Sequence, residues 1–185
     1  MRSLLFVPGD SPKKLDKGMA SGADALIVDL EDSISAANKE DARKTTLAFL
    51  KSAHSAKDRP RLLVRVNAID TGLIDGDLDA VMAAAPHAIM LPKAEGGASV
   101  IHLDAKLAVR EAENGLPENA TGIIALATET ATAMFLVGTF RNASTRLKGL
   151  TWGAEDLSAD LGAQANRDKD GNFLCLLYTS PSPRD

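Results

Sequence analysis

Two kinds of apolar pattern alternate along the chain. Short runs rich in β-branched residues or leucine recur at 4–7, 25–30, 62–66, 88–91, 122–127 and 147–152. None alternates cleanly between apolar and polar residues. Continuous apolar runs suit strands buried on both faces, as in a parallel sheet. Between them the spacing turns helical. Ser11 and Pro12 predict an N-cap and a first-turn proline, followed by Leu15 and Met19 four apart. Ala42, Thr46, Phe49, Leu50 and Ala53 mark one face of a second helix, and Leu78, Val81, Met82 and Ala85 one face of a third. Val100, Leu103 and Leu107 mark a fourth, Met134, Val137 and Gly138 a fifth, and Leu157 and Leu161 begin a sixth. Six consecutive βα units predict an α/β fold with a parallel sheet. No linker or domain boundary interrupts them.

Two parallel architectures compete, a doubly wound open sheet and a (β/α)8 barrel. An open sheet puts its site at one switch point. A barrel gathers side chains from many strand ends on one rim. Here polar chemistry closes nearly every run: Pro8-Gly9-Asp10, then Asp29, Glu31 and Asp32, then Arg65 and Asn67, then Pro92-Lys93, then Thr128-Glu129, then Glu155-Asp156. That favours the barrel. A complete barrel needs eight strands and typically ~250 residues, whereas this chain has 185. The ending LCLLYTSPSPRD also changes character abruptly. It reads like a translated adaptor or vector sequence, or else a native disordered tail. The expected organisation is therefore a partial barrel domain over 1–173 and a tail over 174–185. Such a six-strand piece would have two open edges, fold poorly alone and be inactive by itself.

Composition narrows the class. Apolar content is ordinary and aromatics are few, so the core must rest on Ala, Leu, Val and Ile. The net charge of -4, with both signs interspersed, disfavours nucleic acid as a partner. It leaves room for an anionic small substrate at a local basic site. Cys175 is the only cysteine, so no intrachain disulfide can form. No apolar run reaches the ~18 residues of a membrane span. The opening MRSLLFVPGD has too short an apolar stretch for a signal peptide. A soluble cytoplasmic protein is expected, with no membrane partner.

Asp29, Glu31 and Asp32 crowd three carboxylates at the end of one run and should repel one another unless cations gather there. Glu129 and Asp156 end consecutive runs, and neighbouring strands lie ~4.8 Å apart. The two acids could share a hard cation such as Mg²⁺, which takes one or two carboxylates plus water and substrate oxygens. Equally, each could cap the helix that follows it. Arg65 sits inside the apolar stretch LLVRVN, where a guanidinium is costly unless paired. It could grip a substrate carboxylate or carbonyl, pair with Asp29, Glu31 or Asp32, or do both. The segment PGDSPKKLDKG sets glycine and three lysines around a helix start, which suits either an anion or a solvated helix face. It lacks P-loop spacing. Lys93 is open in the same way. His54, His87 and His102 have no metal-ligand spacing and read as structural or surface residues.

Six stretches in order, RSLLFVPGDSPKKLDKG, ADALIVDLEDSI, LLVRVNAIDT, IMLPKAE, ALATETATAM and LTWGAEDLSADLGA, closely resemble the HpcH/HpaI aldolase/citrate lyase family. The branch they are most similar to is that of citrate lyase β-subunit-like and malyl-CoA-type lyases. The resemblance implies a (β/α)8 TIM barrel of the phosphoenolpyruvate/pyruvate superfamily type, with only about six βα units present. It implies Mg²⁺ as cofactor, held by Glu129 and Asp156, with Glu129 also beside the substrate. It implies that Arg65 binds the acyl oxygens and that Lys17 lies near a coenzyme A moiety. Asp29, Glu31 and Asp32 then stand one layer behind the cation, holding its waters and pairing with Arg65 or a lysine. The implied activity is Mg²⁺-dependent carbon–carbon cleavage of a 3-hydroxyacyl thioester (malyl-CoA, citramalyl-CoA or a citryl thioester). The products are acetyl-CoA or a homologue and a 2-oxo acid. Alternatives are an aldolase of the same family acting on free hydroxy-oxo acids, and a non-catalytic subunit of a lyase complex. The family generally forms trimers or higher homo-oligomers. Strands seven and eight, and a catalytic acid that malyl-CoA-type relatives lend to a neighbouring subunit, have no counterpart here.

Overall fold

The computed structural model describes residues 1–56 and 59–174. Of the tail expected over 174–185 only Leu174 is described; Cys175 and the residues after it lie outside the described residues. Strands β1 (Leu4–Pro8), β2 (Ala25–Asp29), β3 (Arg61–Arg65), β4 (Ala88–Leu91), β5 (Gly122–Leu126) and β6 (Leu147–Thr151) alternate with helices. These are α1 (Pro12–Met19), α2 (Lys39–Ala53), α3 (Ile74–Val81), α4 (Gly97–Glu113), α5 (Ala131–Leu136) and α6 (Ala154–Asp160). All pairings are parallel, and the order is simply β1-β2-β3-β4-β5-β6. A doubly wound sheet would reverse that order at a switch point. Sequential order is instead the wall of a barrel. Among the described residues no pairing joins β6 to β1, so the wall is an arc. Its edges expose Leu4, Leu5 and Phe6 on β1 and Leu150 on β6, with Trp152 just beyond.

Two apolar layers explain why the strand runs do not alternate. One layer fills the space between sheet and helices and includes Leu26, Val28, Leu62, Val64, Ile89, Leu91, Ile123 and Ala125. The other lies on the concave side and consists of Ala25, Ile27, Leu63, Ala88, Met90, Ile124 and Leu126. Period-two geometry sends successive side chains to opposite faces. Following the concave face along β2 gives Ala25, Ile27 and Asp29. Along β3 it gives Leu63 and Arg65. The interior therefore changes from apolar to ionic at the carboxyl ends of the strands, and the register sets Asp29 directly beside Arg65.

The helix faces match the pattern in α2, where Ala42, Thr46, Phe49, Leu50 and Ala53 are buried, and in α4, where Val100, Leu103 and Leu107 are. Three expectations need correction. Ser11 occupies the N-cap position of α1 in an extended conformation but makes no side-chain capping bond. Ala85 falls outside α3, which tightens to a 3₁₀ turn at Met82–Ala84 and stops at Ala85 with φ 45°. In α5 the buried residue is Ala133, while Met134 is exposed. A 3₁₀ turn at Val137–Phe140 follows and buries Phe140. Three residues per turn instead of 3.6 shifts the phase of the buried stripe beyond Leu136. No helix among the described residues is long and apolar enough to cross a membrane.

Candidate active site

The site begins with the Asp29–Arg65 pair. Arg65 donates from Nε to Asp29 Oδ1 at 2.7 Å and from Nη2 to Asp29 Oδ2 at 2.8 Å. Asp29 also accepts from the backbone N–H groups of Glu31 at 2.9 Å and Ser33 at 3.1 Å, and from the Ser33 hydroxyl. Burial alone would raise the Asp29 pKa. The bonds from Arg65 and Ser33 outweigh it and hold the carboxyl below the usual carboxylate range. The pairing expected of Arg65 is present. Its fork is spent on Asp29, while Nη1 faces Glu31 Oε2 at 2.9 Å and Asp32 Oδ2 at 3.4 Å. The guanidinium also lies 4.9 Å from the Phe6 ring centroid. Nη1 is therefore the edge that a substrate oxygen could share.

Behind this pair, a second network fixes the turn that follows β2. Lys39 Nζ donates to the carbonyls of Leu30 at 2.7 Å and Glu31 at 2.8 Å, and to Asn67 Oδ1 at 2.7 Å. Asn67 is held in turn by Asp77, whose Oδ2 accepts from its backbone N–H and its side-chain amide, both at 2.7 Å. Arg43 closes the chain with a 2.8 Å bond to Asp77 Oδ1. Gly9 serves the same region by close approach. A Cβ there would meet Thr46 Oγ1 and the Asp29 carbonyl oxygen.

Lys93, undecided from sequence, ties the rim together. It follows β4 with φ 50°, a left-handed conformation uncommon for a non-glycine residue. That turn aims its backbone N–H at Glu129 Oε2, 2.7 Å away. Its side chain crosses to Glu31 Oε1 and stands 3.7 Å from Asp156 Oδ1 and 3.9 Å from Asp32 Oδ1. Glu129 is buried at the end of β5. It does not cap α5, because Thr130 takes that role and accepts from the Ala133 N–H at 3.2 Å. Asp156 lies in the first turn of α6, so a favourable place at a helix N-terminus and a place on the rim coincide. Burial, reinforced by the Asp156 charge, pushes the Glu129 carboxyl up to about 7.

The donor set fits a hard divalent cation. It consists of oxygens, and Glu129 and Asp156 border the same lysine. Within this network the carboxyl groups of Asp29, Glu31, Asp32, Glu129 and Asp156 outnumber the cationic side chains of Arg65 and Lys93. Glu31 Oε2 is buried and lies off the hydrogen-bond line to Arg65 despite their 2.9 Å separation. Among the described residues no three His, Cys, Asp or Glu side chains converge as a self-sufficient metal cage. Two carboxylates with the remaining positions left to water and substrate is the magnesium pattern.

Lys17 is not joined to this cluster. It is exposed on α1 and lines, with Lys14, a groove of about 240 Å³ over β1. A neighbouring groove of about 480 Å³ holds Asp29, Asp32 and Arg65, and both grooves share Phe6, Val7 and Pro8. The histidines stay outside the ionic network. His87 accepts from the Leu62 N–H at 3.1 Å at the opposite end of the strands.

Residues 2–174 match the family model described as HpcH/HpaI aldolase/citrate lyase. The chain is 33% identical over 173 residues to the citrate lyase subunit beta of Leuconostoc mesenteroides subsp. cremoris, covering 94% of this chain and 56% of that protein. It is 34% identical to a (3S)-malyl-CoA thioesterase of Cereibacter sphaeroides, over 95% of this chain and 58% of that one. A structure of CitE from Mycobacterium tuberculosis with magnesium, acetoacetate and coenzyme A superposes with a TM-score of 0.70 at 34% identity. The match covers 95% of this chain and 57% of that one. The chain thus spans little more than half the length of the curated relatives it matches.

Proposed function

The chain belongs to the HpcH/HpaI aldolase/citrate lyase family, and from that membership we propose a magnesium-dependent carbon–carbon lyase. Its substrate is a 3-hydroxyacyl thioester that carries a carboxylate, of the malyl-CoA, citramalyl-CoA or citryl thioester kind. The products are acetyl-CoA or a homologue and a 2-oxo acid. The observation that carries the reading is the meeting of Glu129, Asp156 and Arg65 on one rim around Lys93.

Glu129 and Asp156 would hold the magnesium ion. When bound, the ion supplies a Lewis acid that draws electron density from the substrate's hydroxyl and carboxylate oxygens. In the cleavage, the hydroxyl loses its proton and its carbon becomes the oxo carbon. The bonding pair of the broken carbon–carbon bond passes to the thioester as an enolate, which then takes up a proton. Arg65 offers Nη1 to the acyl oxygen where negative charge develops. Asp29 keeps that guanidinium aligned by engaging its other edge. Lys39 and Asn67 hold the turn that carries Glu31 and Asp32. The lysine-lined groove over β1 supports placing the coenzyme A portion beside Lys14 and Lys17.

The test is release of a 2-oxo acid from malyl-CoA and citramalyl-CoA with Mg²⁺, using the full-length protein. Glu129→Ala and Asp156→Ala should each abolish it, and undiminished turnover in either variant refutes the assignment. The thioesterase relative favours one second reading, thioester hydrolysis. Free thiol appearing with an intact hydroxy diacid would select it. Turnover of a free hydroxy-oxo acid, indifferent to coenzyme A esters, would select the aldolase alternative. We further expect a homo-oligomer of three or more subunits, measurable by light scattering. The 185-residue chain alone is expected to be inactive.

A further inference from the structure

Lys93 poses a question that cation binding by Glu129 and Asp156 does not answer. Why should an ammonium group stand among the carboxylates that are to receive a divalent cation? Its Nζ faces Glu31 and Asp32 from the turn after β2 and Asp156 from α6, with Arg65 on the far side of Glu31. Its placement is built in, because the left-handed backbone at φ 50° both directs the side chain across the rim and aims the N–H at Glu129. Such a conformation persists in a non-glycine residue only where the surroundings determine it.

We infer that Lys93 is an internal counter-ion that weakens the site for a free divalent cation and strengthens it for an anionic substrate. The cation is then held firmly only together with substrate. The inference rests on the proposed cation role of Glu129 and Asp156. A Mg²⁺–oxygen bond is ~2.1 Å. A cation on Asp156 Oδ1 therefore lies within about 5.8 Å of an ammonium that is 3.7 Å from that oxygen. Even at the dielectric of bulk water, repulsion between a double and a single charge at that distance lowers affinity by about tenfold. A less polar rim makes the effect larger. The same ammonium attracts a carboxylate brought close to it, by about fivefold at ~4 Å in water. One residue thus acts with opposite signs on the two ligands.

That opposition is the test. Mg²⁺ is titrated calorimetrically into the full-length protein without substrate, and pyruvate, as a 2-oxo acid probe, is titrated at saturating Mg²⁺. Lys93→Met should bind Mg²⁺ at least about tenfold more tightly and pyruvate at least about fivefold more weakly. Lys93→Gly should do the same. Glycine suits the positive φ, so this variant keeps the fold even if the methionine variant does not. Lys93→Arg, which keeps the charge, should leave both affinities near wild type. A parallel loss of both affinities in the glycine variant would mark a merely structural residue and overturn the inference, as would unchanged Mg²⁺ affinity. Asp156→Asn separates the premise from the inference. If it binds Mg²⁺ as well as wild type, the cation site itself is misplaced.

Discussion

Replacing Asp29 by alanine tests how the ionic rim is held. The substitution removes the acceptor for the Arg65 fork, for the N–H groups of Glu31 and Ser33, and for the Ser33 hydroxyl. The Asp29 side chain is 3% exposed and that of Arg65 12%, so water cannot take over freely. Breaking one side of a buried ion pair costs about 3–5 kcal/mol. Arg65 keeps its 2.9 Å contact with Glu31, which places the expected loss near the lower end, about 3 kcal/mol. Total stabilities of domains are only about 5–15 kcal/mol, so the loss is large. Urea unfolding at pH 7, followed by circular dichroism, measures it. A loss under about 1 kcal/mol would show that the pair does not hold the rim together. The pH dependence gives an independent check. The folded pKa of Asp29 lies below its unfolded value. Its contribution is therefore fully present above the unfolded pKa of about 3.9 and is lost as pH falls through the folded pKa. The gap between wild type and Asp29→Ala should accordingly hold constant from pH 7 to 5 and narrow only in acid below about pH 4. A gap that closes near neutrality would contradict the assigned sign.

Three further outcomes follow from the same geometry. A Cβ at Gly153 would stand 2.7 Å from Glu129 Cγ and 2.8 Å from its Oε1. Gly153→Ala should therefore displace that carboxylate and weaken Mg²⁺ binding by about 10–100-fold in calorimetry, with little change in melting temperature. Glu111 pairs with Arg146, whose side chain is 1% exposed, through bonds of 2.6 and 2.8 Å, far from the rim. Glu111→Gln should lower unfolding free energy by about 3 kcal/mol or more and leave Mg²⁺ affinity untouched. Asn67→Ala removes one of three acceptors of Lys39 and one of the two donors to Asp77 Oδ2. The backbone donor can survive the change, so a loss of about 1–3 kcal/mol is expected in urea unfolding, together with a raised substrate KM.

The strands and the parallel sheet were legible in the chain because runs such as 25–30 are apolar on both faces, and only a doubly covered sheet needs that. Polar residues closing those runs marked the rim, and motif resemblance singled out Glu129, Asp156 and Arg65. What escaped the one-dimensional reading depends on contacts between residues far apart. Lys39, Asn67 and Asp77 read as ordinary polar residues on separate elements, yet they form one buried chain. The stripe of α5 is not legible because Ala133 is buried while the larger Met134 beside it is exposed, and the later switch to 3₁₀ geometry leaves no signature in spacing. Where Lys17 lies relative to the ionic rim was likewise not legible, and α1 places it on the adjoining groove.

Sequence alone therefore determined the βα order, the buried faces of the long helices, and which strand ends carry charge. Periodicity and composition act locally, and they suffice for those features. Only the tertiary structure decided which charges meet. Parallel register set Asp29 beside Arg65, and a left-handed turn at residue 93 sent one lysine across the rim. Charges at fixed distances, rather than charges in a list, set the pairing of Arg65 and the place left for a cation, because Coulomb energy depends on separation and burial.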